Sequence, residues 1–199
     1  MKKLSTYLFL ILFSFQVPSW ADDIRDFEIE GMSIGDSLLG HFSEEEIKKE
    51  IQTEFTYHYK NSAFVVVSLE ILKPNLETYE VLFVTVKPTD PKYIIYALKG
   101  SIEFNNEINK CKKKRDAIVM DVKNIFKNLK INKTKAKHGY DDESLVYAHE
   151  FIFSNKDEIR IYCVDWSEKT EIENKWIDEL AFSLIKWELI DFINKGGMK

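Results

Sequence analysis

The sequence predicts an α+β fold: an antiparallel sheet of about six strands, packed by a long central helix, with short helices at the N- and C-terminal ends. Three observations carry this expectation. Residues 105–130 place Ile108, Cys111, Ile118, Val122, Ile125 and Leu129 at three- and four-residue steps, as one face of a helix requires. Runs rich in Val, Ile, Phe and Tyr precede and follow that stretch and are broken by Pro, Asn and Asp. Helix-start signals stand before the first strand run and an aromatic-rich helical pattern after the last.

Residues 1–21 read as a signal peptide: Lys2 and Lys3, an apolar run over 7–17, then small residues at Ser19 and Ala21. The run is short for a bilayer-spanning helix, which takes roughly 20 residues. The expectation is a single globular domain over 22–199, periplasmic or secreted, with no membrane span after cleavage. About 180 residues suffice for a sizeable core. That chain carries 26 basic and 33 acidic side chains, a net charge of −7, unevenly spread. Residues 110–137 hold eleven basic side chains against Asp116 and Asp121.

In chain order, Ser33 with Asp36 suggests a capped short helix over 34–41. Ser43 with Glu46 is a second capping box, opening a helix over 44–52, with Phe42 set to staple onto Ile47. Strand signals then run over 63–72, 76–87 and 92–104, separated by Pro74 with Asn75 and by Pro88, Asp90 and Pro91. Gly100 inside the third run suggests a bulge or bend before the long helix. After the long helix, where Asn105 or Asn106 can cap the start, 132–144 reads as a polar loop. Strands follow over 145–153 and 158–166 around the turn-forming Ser154, Asn155, Lys156 and Asp157. Residues 173–194 fit either one helix, through Trp176, Leu180, Leu184 and Trp187, or a strand over 177–185 followed by a closing helix over 187–194, and the alternation of Leu180, Phe182 and Leu184 favours the second.

The two cysteines, Cys111 on the apolar helix face and Cys163 on a strand face with Ile159 and Ile161, are expected to form one disulfide. A nucleophilic or redox cysteine is the alternative, without a CxxC pair to support it. Lys112, Lys113, Lys114 and Arg115 are candidate anion-binding residues, although periodicity places most of the helix lysines on a face that is polar in any soluble helix. No groove-reading or base-stacking signature points to nucleic acid. Gly31, Gly35 and Gly40 match no phosphate-loop spacing. His41, His58, His138 and His149 are scattered, and Asp141, Asp142 and Glu143 lack calcium-loop spacing, so neither a metal nor a cofactor is expected. Asp165, Trp166 and Glu168, at a strand end, are the candidate ligand-binding cluster: an aromatic ring beside acids suits a sugar or a cation.

In DFEIEGMSIGDSLL and the following FSEEEIKK, in the CxxK-type helix and in YCVDWSE, the chain resembles a family of small uncharacterised exported proteins of SAR11-type marine alphaproteobacteria. The resemblance implies secretion and a shared fold and brings no residue roles with it. GMS before two short helices and three strands is also similar to the start of outer-membrane assembly lipoproteins of the BamE/SmpA kind. The chain departs from those in its early Gly40 and in lacking a lipidated cysteine. The expected function is non-enzymatic binding in the cell envelope, with another envelope protein or an anionic envelope component as partner. The alternative is an envelope hydrolase acting on a sugar or peptide through carboxylates near Asp165 and Glu168.

Overall fold

The computed structural model describes residues 23–69, 72 and 76–198; the expected signal peptide and the Pro74–Asn75 break lie outside them. Eight strands form one antiparallel sheet: β1 (Tyr57–His58), β2 (Val65–Ser68), β3 (Val81–Val86), β4 (Ile95–Glu103), β5 (Lys130–Lys137), β6 (Leu145–Ile152), β7 (Glu158–Asp165) and β8 (Glu179–Ile185). Their spatial order is β1-β2-β3-β4-β8-β7-β6-β5, so two four-stranded meanders meet where β4 pairs with β8. The helices are α1 (Glu44–Ile51), α2 (Ile108–Ile125), α3 (Glu168–Asn174) and α4 (Trp187–Phe192). Among the described residues no helix is long and apolar enough to cross a membrane.

This corrects the expected six strands and the 26-residue helix. The two added strands are the sheet edges. β5, KINKTKAK, has no apolar alternation, because a strand paired only with β6 and otherwise exposed has no need of it. Lysines on an edge strand also deter pairing with other chains. β1 is two residues long and carries too little pattern to read. The helix α2 has 18 residues. Asn105 and Asn106 lie in left-handed turn conformations ahead of it, which Asn tolerates, and Glu107 takes the cap position. At its other end the chain turns extended at Phe126, whose ring enters the core between Phe27 and Phe153, each with its centroid 5.1 Å away.

Residues 34–41 form turns and one short 3-10 segment, Leu38–Gly40, instead of a helix. Glu30 and Gly31, both left-handed, make the tight turn joining Ile29 to Met32. The Asp36 carboxylate accepts the Ser33 N–H inside a turn. The second capping box is present: Ser43 accepts from Glu46 N–H, and the Glu46 carboxylate accepts from Ser43 N–H. α3 was not expected; Ser167 caps it, and the left-handed Lys175 ends it. The expected strand and closing helix near the C-terminus are found as β8 and α4.

Strand alternation sorts side chains onto two faces. One face, with Val65, Val67, Leu82, Val84, Leu98, Leu180, Phe182, Leu184, Ile159, Ile161 and Phe151, forms the main core with α2, α1 and the segment carrying Ile24 to Leu38. The expected bulge at Gly100 lies instead between Thr85 and Val86, opposite Tyr96. It lets Ile95 and Leu98 reach the main core while Tyr96 joins Tyr59, Phe64 and Leu189 of α4 in a smaller cluster. Cys111 and Cys163, both fully buried, are bonded with their Cα atoms 6.1 Å apart, fastening the first turn of α2 to β7.

Candidate functional site

The second sheet face is where polar and aromatic groups converge. α4 packs at one end of it, against Ala97 and Ile185. Along its middle, register sets Phe83, Lys99, Ser183, Arg160 and Glu150 side by side across β3, β4, β8, β7 and β6. Lys99 Nζ lies 2.6 Å from Glu179 and 5.3 Å from the centre of the Phe83 ring. Burial works against its charge, yet Tyr162 and Glu179 outweigh that and hold the ammonium well above the usual lysine range. Arg160 is shared between Glu158 and Glu150.

At the far end of this face stands a ladder of rings. His138 lies 4.4 Å from Trp166, Trp166 lies 4.6 Å from Trp176, and Trp176 lies 4.6 Å from Tyr140, centroid to centroid. The outer rungs face solvent: Tyr140 is 55% exposed and Trp176 38%. Three chain segments supply the rungs: the β5–β6 loop, the end of β7 and the approach to β8. Asp141 fastens the first two to each other. Its carboxylate accepts from the N–H groups of Glu143 and Ser144 and from the hydroxyls of Ser144 and Thr170, tying the loop to the start of α3. These donors, with the Ser144 and Thr170 hydroxyls foremost, hold its carboxyl well below the usual range. The polar loop is thus fastened, with Gly139, Tyr140, Asp142 and Glu143 exposed. His138 Nδ1 accepts the Tyr140 N–H, so the ring proton sits on Nε2. Burial, and then Lys99, push the pKa of His138 down.

The expected ligand cluster does not converge as one site. Alternation leaves Asp165 on the α2 side with Cys163, 3.5 Å from the Tyr147 hydroxyl, whereas Trp166 joins the ladder and donates its backbone N–H to Asp178. Glu168 is exposed in the first turn of α3. Asp165 and Glu168 both act on Glu171, whose pKa is raised by burial first and by Asp178, Asp165 and Glu168 after it. Of the four expected anion-binding residues, Lys113 and Lys114 are exposed, and Lys112 sits 3.5 Å from the centre of the Tyr147 ring. Arg115 is buried at 5% exposure, donating to the Tyr147 carbonyl and to Asp116. It stands four residues after Cys111 and four before Val119, on the buried stripe itself.

Lys99, His138, Tyr140 and Trp176 were not singled out from the sequence. Lys99 did leave a signal: a lone charge within an apolar strand run, spaced by two from Ala97 and Ser101. Of the ladder the sequence marked only Trp166, because its rungs are joined only by tertiary structure.

His149 of β6 is also buried, and its pKa is lowered by burial first and by Arg115 next. A histidine whose folded pKa lies below its unfolded value stabilises fully above about pH 6.5 and loses that contribution as pH falls through the folded pKa. We expect the unfolding free energy to drop between pH 7 and pH 5 through His138 and His149. In His149→Gln the drop should be shallower. Glu158, raised mainly by burial, acts with the opposite sign but equally in both proteins. Urea titrations at each pH check this, and parallel curves for the two proteins would refute it.

Comparisons of the chain with protein-family models, with curated proteins and with solved structures give no match, so its function is read from this geometry.

Proposed function

We propose that the protein is a non-enzymatic binding protein of the cell envelope, periplasmic or secreted, that engages its partner through the ring ladder Tyr140–Trp176–Trp166 and the adjoining sheet face. The observation that carries this reading is an exposed Tyr140 packed against an exposed Trp176, with the Tyr140 loop fastened by the Asp141 hub. Exposed aromatic rings give a large apolar contact area, and fastening them beforehand reduces the entropy lost on binding. A folded-in disulfide suits an oxidising compartment, in keeping with the leader-like sequence of residues 1–21.

The test uses the chain from Asp22 onward, incubated with a periplasmic extract. Affinity capture would identify a stoichiometric protein partner, and native mass spectrometry a retained small molecule. Trp176→Ala and Tyr140→Ala remove exposed rings and should leave the fold intact while weakening binding about tenfold or more, as central aromatic contacts do. Unchanged retention by both variants would overturn the assignment of the ladder, and turnover of a captured molecule would overturn the non-enzymatic reading.

A further inference from the structure

On the other sheet face, α2 packs chiefly over β7 and β8 and makes little contact with β5. Register places Lys133 and Lys135 of β5 on this face, opposite His149 and Tyr147 of β6. Two ammonium groups from different elements converge there on one ring: Lys112 of α2 lies 3.5 Å and Lys135 of β5 lies 5.3 Å from the centre of Tyr147. Neither lysine, nor Lys123 or Lys133, has a carboxylate within 4.0 Å among the described residues. The nearby acids are committed elsewhere. Asp116 serves Arg115, Asp165 stands by the Tyr147 hydroxyl, and Asp178 acts on Lys112 only from beyond ion-pair distance.

The floor supplies a second, independent observation. His149 is 7% exposed, and its Nδ1 has no hydrogen-bond partner. Buried polar atoms in folded proteins are nearly always satisfied, so a lone one beside a concentration of positive charge marks a missing partner, a donor or an acceptor for the neutral imidazole and an acceptor for the charged one. The charged groups acting on it are Arg115, Asp116 and Lys123 from α2 and Lys133 from β5.

We propose that the notch between α2 and β5 binds a phosphate group, held by Lys112 and Lys135, flanked by Lys123 and Lys133, and seated over the buried His149. Like charges held together without a counter-ion repel, and a multiply charged oxyanion relieves that repulsion at several points at once. Lysines act here as mobile point charges around the anion, as ammonium groups do in other phosphate sites. The negative charge of a phosphate seated there favours the charged imidazole of His149, so binding takes up a proton and tightens as pH falls. This site lies on the opposite sheet face from the ring ladder, and the two readings stand or fall separately.

The probes are inorganic tripolyphosphate, read by calorimetry, and vesicles with and without phosphatidylglycerol, read by co-sedimentation. Two double variants remove equal charge: Lys112→Gln/Lys135→Gln inside the notch, and Lys113→Gln/Lys114→Gln outside it on the same helix. The inner pair should weaken tripolyphosphate binding about tenfold or more, and the outer pair less than about twofold. The His149 ring signals, followed by NMR, should report a raised pKa when tripolyphosphate is bound. Retention on phosphatidylglycerol vesicles that the inner pair abolishes would assign the phosphate to a lipid headgroup, and its absence beside tripolyphosphate binding to a soluble phosphate. Equal losses in the two double variants, an unshifted His149, or no saturable binding of either probe at low salt would overturn the site.

Discussion

Replacing Cys111 and Cys163 together by alanine is expected to lower the unfolding free energy by about 4 kcal/mol, the loop-closure entropy of a bridge across some 50 residues. For a domain of this size that corresponds to a fall of roughly 10 °C in Tm. The bridge matters because of what it spans. It leaves the first half of α2, encloses the rest of that helix together with β5 and β6, and closes on β7. Without it, the unfolded chain regains the freedom of that whole segment. Both sulfurs are fully buried, so a reductant should act only after denaturant has opened the core. Thermal melts of the wild type and the double variant, with thiol labelling of unfolded, unreduced protein, check both points. A loss under about 1 kcal/mol, or two free thiols in the wild type, would contradict the account.

Gly100→Ala is the second large effect, and it should depend on Tyr79. Gly100 lies inside β4, on the main-core face between Leu82 of β3 and Phe182 of β8. The Tyr79 ring rests directly on it: a Cβ at position 100 would sit 2.5 Å from two of the ring atoms. Overfilling a packed site in this way costs about 1–3 kcal/mol. Glycine is otherwise a poor strand residue, so once the ring is removed alanine should be tolerated or favoured. In a double-mutant cycle measured by urea unfolding, the cost of Gly100→Ala should fall to below about 0.5 kcal/mol in the Tyr79→Ala background. Additive costs would show that the ring is not what excludes a side chain there.

Much of the architecture could be read along the chain because burial against a neighbour leaves a period. β2, β3, β4, β6, β7 and β8 all lie within the expected runs, and α1 carries the expected capping box. The failures are physical in kind. β5 is an edge strand whose pairing leaves lysines in solvent, and α3 is a short polar helix held by Ser167 and the Asp141 hub, so neither needed an apolar pattern. Arg115 was set among surface cations because its type is polar. Its position four residues from Cys111 buries it, and the Tyr147 carbonyl satisfies its guanidinium there.

By itself the sequence determined the α+β class, the positions of the inner strands and the pairing of Cys111 with Cys163. Each of these follows from side-chain periodicity, which is a local property. The tertiary structure alone decided which residues meet. It separated Asp165 from Trp166 by the alternation of one strand end, and gathered His138, Tyr140, Trp166 and Trp176 from three segments. It also brought Lys112 and Lys135 onto one tyrosine ring. Contacts of this kind depend on strand order and register, which emerge only when the whole sheet assembles.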